Sequence, residues 1–445
     1  MKEILEQIIL DFQESNLRTG IPRSLNIQHI SGKVTVCMGV RRSGKSTYIF
    51  QEIEKLVKQG ISKKNILYLN FFDDRIHKLQ HDNLWLIVDA YYSLYPEKKN
   101  VETIYFFFDE IQTISDWEPF VDRILRTENC EIYITGSSAK LLSKEIATQM
   151  RGRALSWEIF PFSFKEFLSF KNIEYSKKMS TKKNLFVKKF FEEYWQSGSF
   201  PEVLGVDKMI RVKIHQEYFQ SILFRDLIDR HNIIHPNALS DLAYKLIDNI
   251  AALYSINKLV NYLHSLGHKI PKTAVSDYLE WFEDAYFLFT VRLFDASLSR
   301  SKSNPKKIYC IDHAFVMSVS SGILTNSGHL LENLVFITLR RFSESIFYYK
   351  TRSNKEVDFI VQSLDRSKAL IQVCESMKSE NTRKREINAL LEAMKEQELD
   401  NGIIVTRDDE EKICMDNKII FVIPIWRFLL LNEEDVKDLA HCLSL

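Results

Sequence analysis

Cysteines are few and never clustered: the six, at 37, 130, 310, 374, 414 and 442, form no C-x-x-C pair and stand beside no histidine group. That spacing excludes a disulfide framework and a zinc site, and reads as reduced thiols in a cytoplasmic protein. Glycine (13) and proline (9) are scarce for 445 residues, which leaves little room for long disordered tracts. No apolar run reaches the ~18 residues of a membrane span. Even the aromatic stretch from Trp281 to Phe294 carries Glu283, Asp284 and Arg292. The opening segment MKEILEQIILDFQES interleaves charge with apolar residues, so it reads as an amphipathic helix and not as an export signal. Charge of one sign is missing as well. A formal net charge of +1 sets up no global field toward nucleic acid or anionic lipid, so such contacts would need a local patch.

What remains is the composition of a globular chain, 45% hydrophobic and 27% charged, long enough for two or three domains. The first third alternates short apolar runs with helix-like polar segments, the pattern of a parallel sheet covered by helices. The runs are Val34 to Met38, Ile66 to Phe72, Ile104 to Phe108, Ile132 to Ile134 and Ala154 to Ile159. A mostly helical stretch follows, interrupted by the turn-like Ser197 to Pro201 and His235 to Asn237. After Pro305 a second strand and helix alternation begins. The expected organisation is α/β throughout: a parallel-sheet core over residues 1–170, a helical region over 171–300 and a C-terminal α/β domain over 301–445.

The chemistry is carried by Gly39-Val40-Arg41-Arg42-Ser43-Gly44-Lys45-Ser46, which fits G-x-x-x-x-G-K-[ST] between a strand and a helix-like segment opening at Thr47. Its glycines let the backbone curl so that N–H groups face phosphate oxygens, and the helix N-terminus adds its dipole. Lys45 is expected at the terminal phosphates of ATP and the Ser46 hydroxyl on Mg2+. Hydrolysis also needs a carboxylate at the end of a buried neighbouring strand, and the run IYFFF ends in Asp109-Glu110. Asp109 is expected to act on the metal and Glu110 to polarise the attacking water. A third strand ends in Thr135, Ser137 and Ser138, which suits a γ-phosphate sensor, or equally a plain strand-to-loop turn. Arg151 and Arg153 offer guanidiniums for transition-state charge, in their own site or a neighbour's, or else a surface ion pair.

Together these residues resemble a family of bacterial and archaeal AAA-type ATPases, in which a P-loop core precedes a C-terminal domain of unknown function. The segments carrying the resemblance are GVRRSGKST, LYLNFFDDR, FFFDEIQTISDWE, ITGSSAKLL, RGRALSWEIFPFSFKEFL, GSFPEVL, ILFRDLIDRH and KEVDFIV. The resemblance implies an extra strand between those bearing the P-loop and Asp109, Glu110 as catalytic acid, a polar sensor near Ser137, and nucleotide-responsive arginines at 151 and 153.

It also suggests a winged-helix module where residues 255–267 and 271–282 read as two helices about a Gly-containing turn. Lys258, His264, Lys269 and Lys272 would then face double-stranded DNA, opposed by Asp277, Glu280, Glu283 and Asp284. The last region looks like a restriction-endonuclease-type fold with Glu332 and Asp358, but Gln372 and Cys374 stand where the second acid and the lysine belong. A scaffold that has lost nuclease activity is the favoured expectation. The leading functional expectation is an ATP-driven, Mg-dependent switch acting on DNA or a protein partner, in a form compatible with oligomers. Its competitors are a nucleotide-gated DNA-binding regulator or defence protein, and an ATP-dependent nuclease with an atypical metal site.

Overall fold

The computed structural model describes residues 1–137, 150, 152–176, 179–320, 326–363, 365–432 and 435. The chain divides into two compact units, Met1–Pro161 with Asp284–Tyr286, and Phe162–Glu283 with Phe287–Leu445.

The first unit is a five-stranded parallel sheet with helices on both faces. Its elements are α1 (Lys2–Glu14), β1 (Val34–Met38), α2 (Lys45–Lys58), β2 (Ile66–Asn70), α3 (Trp85–Leu94), β3 (Ile104–Asp109), α4 (Glu118–Thr127), β4 (Cys130–Gly136) and β5 (Ala154–Glu158). Each of the five runs expected to be a strand here is one; β1 and β3 are buried on both faces, as the continuously apolar strands of a parallel sheet are, while β5 at the edge is only partly buried. In β3, Phe107 stacks on Tyr133 and joins Ile49 and Ile53 of α2, while Phe106 meets Tyr91 of α3 and Phe108 meets Phe120 of α4. All three phenylalanines are fully buried, and truncating any one to alanine would cost ~3–5 kcal/mol. The strand order is β2-β3-β4-β1-β5, so β4 lies between the strand that feeds the glycine loop and the strand that ends in Asp109. This is the inserted strand that the family resemblance implied.

The second unit continues with α5 (Phe164–Phe170), α6 (Thr181–Ser197), α7 (Lys208–Ser221), which runs on as a π-helical stretch over Ile222–Asp229, α8 (Pro236–Asp248), β6 (Leu253–Tyr254), α9 (Ile256–Ser265) and α10 (Lys272–Asp284). Then come β7 (Leu288–Leu293), α11 (Leu298–Ser303), β8 (Lys306–Cys310), α12 (His313–Val319) and α13 (Ser327–Arg340). The C-terminal part holds β9 (Ile346–Lys350), β10 (Glu356–Gln362), β11 (Lys368–Val373), α14 (Glu380–Glu396), β12 (Asn401–Thr406), β13 (Glu411–Met415), β14 (Lys418–Pro424) and α15 (Ile425–Phe428). Its nine strands form one sheet in the order β13-β14-β12-β11-β10-β9-β7-β8-β6. The sheet therefore runs across residue 300, where a domain boundary was expected. The crossing is narrow: β7 pairs with β9 only through Arg292↔Phe347 and Leu293↔Tyr348. The antiparallel trio β6, β8 and β7, preceded and interleaved by α8, α9 and α10, is thereby continuous with the C-terminal strands. Among the described residues no helix is long and apolar enough to cross a membrane.

Candidate nucleotide site

The loop after β1 is shaped by two glycines. A Cβ on Gly39 would sit 2.1 Å from the backbone oxygen of Ile159, so no larger residue fits where this strand end meets the segment after β5. Gly44 caps α2 in the left-handed conformation, with φ 95°. Arg42 is also left-handed and exposed, Val40 is buried, and the Arg41 guanidinium lies 5.8 Å from the centre of the Phe72 ring. Lys45, Ser46 and Thr47 form the first turn of α2, whose leading N–H groups have no partners within the helix. The loop is held from outside by a residue its own sequence does not announce: the Arg23 guanidinium donates to the carbonyl of Ser43 at 2.8 Å and to that of Phe160.

Lys45 is buried, and its ammonium donates to the carbonyls of Gly39 and Val40, each at 3.1 Å. It also stands 3.7 Å from a carboxylate oxygen of Glu110, so the loop and the acid pair meet at one place. Glu110 reaches that position through a left-handed backbone, φ 60° and ψ 40°, that turns the chain off the end of β3. A non-glycine residue held there stores strain of about 1–3 kcal/mol, the kind of cost found where side-chain direction matters. Its N–H donates to Thr135 Oγ1 at 3.0 Å, and its other carboxylate oxygen accepts from Gln112.

Asp109 is wholly buried, and each of its oxygens is fixed by a neighbouring strand. From β4, the Thr135 hydroxyl donates to Oδ1; from β2, the Tyr68 hydroxyl donates to Oδ2 at 2.8 Å. Burial, reinforced by the Asp109 charge, pushes the Tyr68 phenol far up, so it stays a donor. Thr135 therefore braces the acid pair and does not project toward the loop as a free hydroxyl. Ser137 is buried with no protein partner for its hydroxyl, and the same holds for Ser43 in the loop. Two orphaned buried hydroxyls and a glycine cradle that a Cβ would fill are features a polyphosphate ligand satisfies, so the residues fit Mg-ATP.

The arginines expected beside this site fare differently. Arg153 immediately precedes β5 and its carbonyl accepts from Val34 at the start of β1, whereas the glycine loop follows the far end of β1. A strand of that length spans about 16 Å. Arg153 instead pairs with Asp122 at 3.0 Å, the surface ion pair, so it is not part of the phosphate loop's own surroundings. Arg151 and Ser138 lie outside the described residues.

In the second unit, Lys258, Lys269 and Lys272 are exposed, and His264 Nε2 hydrogen-bonds the carbonyl of Ile270 at 3.0 Å, closing the turn between α9 and α10. Asp277 and Glu280 share the exposed side of α10 with Lys272, Thr273 and Ser276, so acids do face outward there. Glu283 turns inward to accept from the N–H and hydroxyl of Thr290. Of the expected nuclease positions, Gln372 is buried between the Asp358 N–H and Glu386, and Cys374 belongs to the apolar core under α14.

Residues 31–168 match the family described as an AAA domain, 188–325 a domain of unknown function (DUF8612) and 327–428 another (DUF4143). The protein MJ1544 of Methanocaldococcus jannaschii, described as uncharacterized, is 39% identical over 441 residues, 96% of either chain. A Haemophilus influenzae protein, described likewise, is 34% identical over 75% of this chain and 80% of its own. The Aeropyrum pernix ORC2 protein in its ADP form aligns at 14% identity over 65% of this chain and 85% of that one, with a TM-score of 0.31, a likeness too low to carry any argument. At the identity and coverage of the archaeal protein the chain belongs to its family, and the AAA domain with its five-stranded parallel sheet makes it a member of the P-loop ATPase class.

Proposed function

We infer that the chain is a Mg-dependent ATPase whose hydrolysis switches the state of the second unit on a bound partner. The observation that carries this reading is the approach of Lys45 to Glu110 across the ends of β1 and β3, beside an Asp109 braced by two hydroxyls. Backbone N–H groups from Gly39 to Thr47 would surround the phosphates, with the Lys45 ammonium at the terminal ones. Ser46 and Asp109 would hold the metal, which when bound neutralises charge on the β- and γ-phosphate oxygens. Thr135 and Tyr68 keep both Asp109 oxygens aimed, as outer partners do for metal-associated carboxylates. Glu110 would accept a proton from water and orient it, and Ser137 would offer its unpartnered hydroxyl to the same region. Lys45→Ala should weaken ATP binding at least about tenfold and abolish phosphate release. A wild-type protein that binds Mg-ATP yet releases no phosphate, with or without DNA, would overturn the hydrolytic reading.

The order α8, β6, α9, α10, β7, α11, β8 is compatible with a winged helix, and exposed Lys258, Lys269 and Lys272 favour a second reading in which nucleotide gates DNA binding. Asp277 and Glu280 on the exposed side of α10 oppose it. If DNA is the partner, affinity falls steeply with salt and is lost in Lys269→Ala/Lys272→Ala; a salt-independent or unchanged affinity removes this reading.

A further inference from the structure

Lys307 sits in β8 with only 3% of its surface exposed. An ammonium has three donors and no acceptor, and each donor here has a carboxylate. Nζ lies 2.9 Å from Glu332 on α13, and 2.9 Å and 2.8 Å from Glu356 and Asp358, neighbours on one side of β10. Tyr309, two residues along β8, donates its hydroxyl to Glu332, and the second oxygen of Asp358 accepts from the Val373 N–H at 2.9 Å. Glu332 and Asp358 are each 7% exposed, so the inner part of the cluster is closed to anything as large as a phosphodiester chain. Among the described residues no group of three or more His, Cys, Asp or Glu is gathered so as to hold a metal ion. The carboxylates are arranged about the lysine.

The position of Lys307 in the topology gives this a consequence. In the sheet order β7 and β9 separate β8 from β10, and β7 joins β9 by only two residue pairs. Lys307 therefore adds an ionic tie between the module of α8–α10 with β6–β8 and the C-terminal strands, beside the Phe294 N–H that donates to the Tyr348 carbonyl at 2.8 Å and the Tyr309 ring against Phe359. We propose that Lys307 is the built-in cation of the Glu332, Glu356 and Asp358 cluster, standing where a divalent metal would otherwise gather such acids, and that this ionic lock fixes the module to the C-terminal sheet while closing the cluster to metal-dependent cleavage. The lock needs no metal, and it accounts for how the domain tolerates Gln372 and Cys374.

The test uses the full chain without nucleotide and follows thermal unfolding and plasmid cleavage in EDTA, Mg2+ or Mn2+. The lock predicts a wild-type midpoint indifferent to EDTA and Mn2+, and no cleavage. Lys307→Met strands buried carboxylates and should lower the midpoint by about 5 °C or more. Combining it with Glu332→Gln and Asp358→Asn removes the stranded charge and should recover part of that loss, a non-additivity that a purely steric defect would not produce. If Lys307→Met fails to fold, the wild-type metal titration still decides. A Mn2+-induced rise in the wild-type midpoint that disappears in Asp358→Ala, cleavage of plasmid, an unchanged midpoint in Lys307→Met, or a triple variant no more stable than the single one would each overturn the proposal.

Discussion

Thr135 is buried at the end of β4 with its hydroxyl on Asp109 and its oxygen accepting from the Glu110 N–H, so one side chain indexes both acids. Thr135→Val keeps shape and removes both bonds. It should lower kcat about tenfold or more while ATP affinity changes little, because hydrogen bonds to charged groups contribute about 1.5–3 kcal/mol. An equal loss in binding and turnover would place Thr135 on the nucleotide and not behind the acid pair. The glycine loop and Asp109-Glu110 were legible in the sequence because their chemistry demands fixed spacing beside recognisable strands. Thr135 was visible as a candidate, but its direction was not, since a strand residue's partner depends on which strand lies next to it. Tyr68, Gln112 and Arg23 left no such signal: each acts through a contact made by the tertiary fold, and the Tyr68 phenol and Asp109 are 41 residues apart.

At the scale of elements, continuous apolar runs revealed β1 and β3 because burial on both faces leaves no polar alternation to confuse with a helix, whereas β5, at the sheet edge and only partly buried, was marked by its place before Pro161. Strand β13 escaped because it is mostly exposed, with only Ile413 buried, and β7 was hidden inside an aromatic stretch that reads equally as the end of a helix. Placing β7 also shows why residue 300 is not a break in the sheet. Between α7 and α12 the packing creates a feature with a pH signature. His215 and His313 are both buried, and desolvation, partly offset by the Asp312 charge, lowers both below the ordinary 6.5. A lowered histidine binds fewer protons folded than unfolded, so stability rises with pH through that window and is lost on acidification below about 6.5. The unfolding midpoint of the wild type should fall between pH 7.5 and 5.5, and less so in His215→Gln; identical slopes would show that His215 does not contribute.

The chain divides into two compact units, and the proposed function gives the nucleotide to the first and a partner to the second. The second unit was the less legible of the two, because its charged centre at Lys307 gathers Glu332, Glu356 and Asp358 through the fold and has no local motif. The family match leaves the partner open, whereas the nucleotide chemistry makes a direct demand on Glu110. The decisive measurement is the identity of the nucleotide that co-purifies through rapid filtration with Glu110→Gln after incubation with Mg-ATP, set beside the wild type. Retained ATP in the variant and ADP in the wild type is the predicted result; ADP in both would contradict the role assigned to Glu110 and, with it, the catalytic site described.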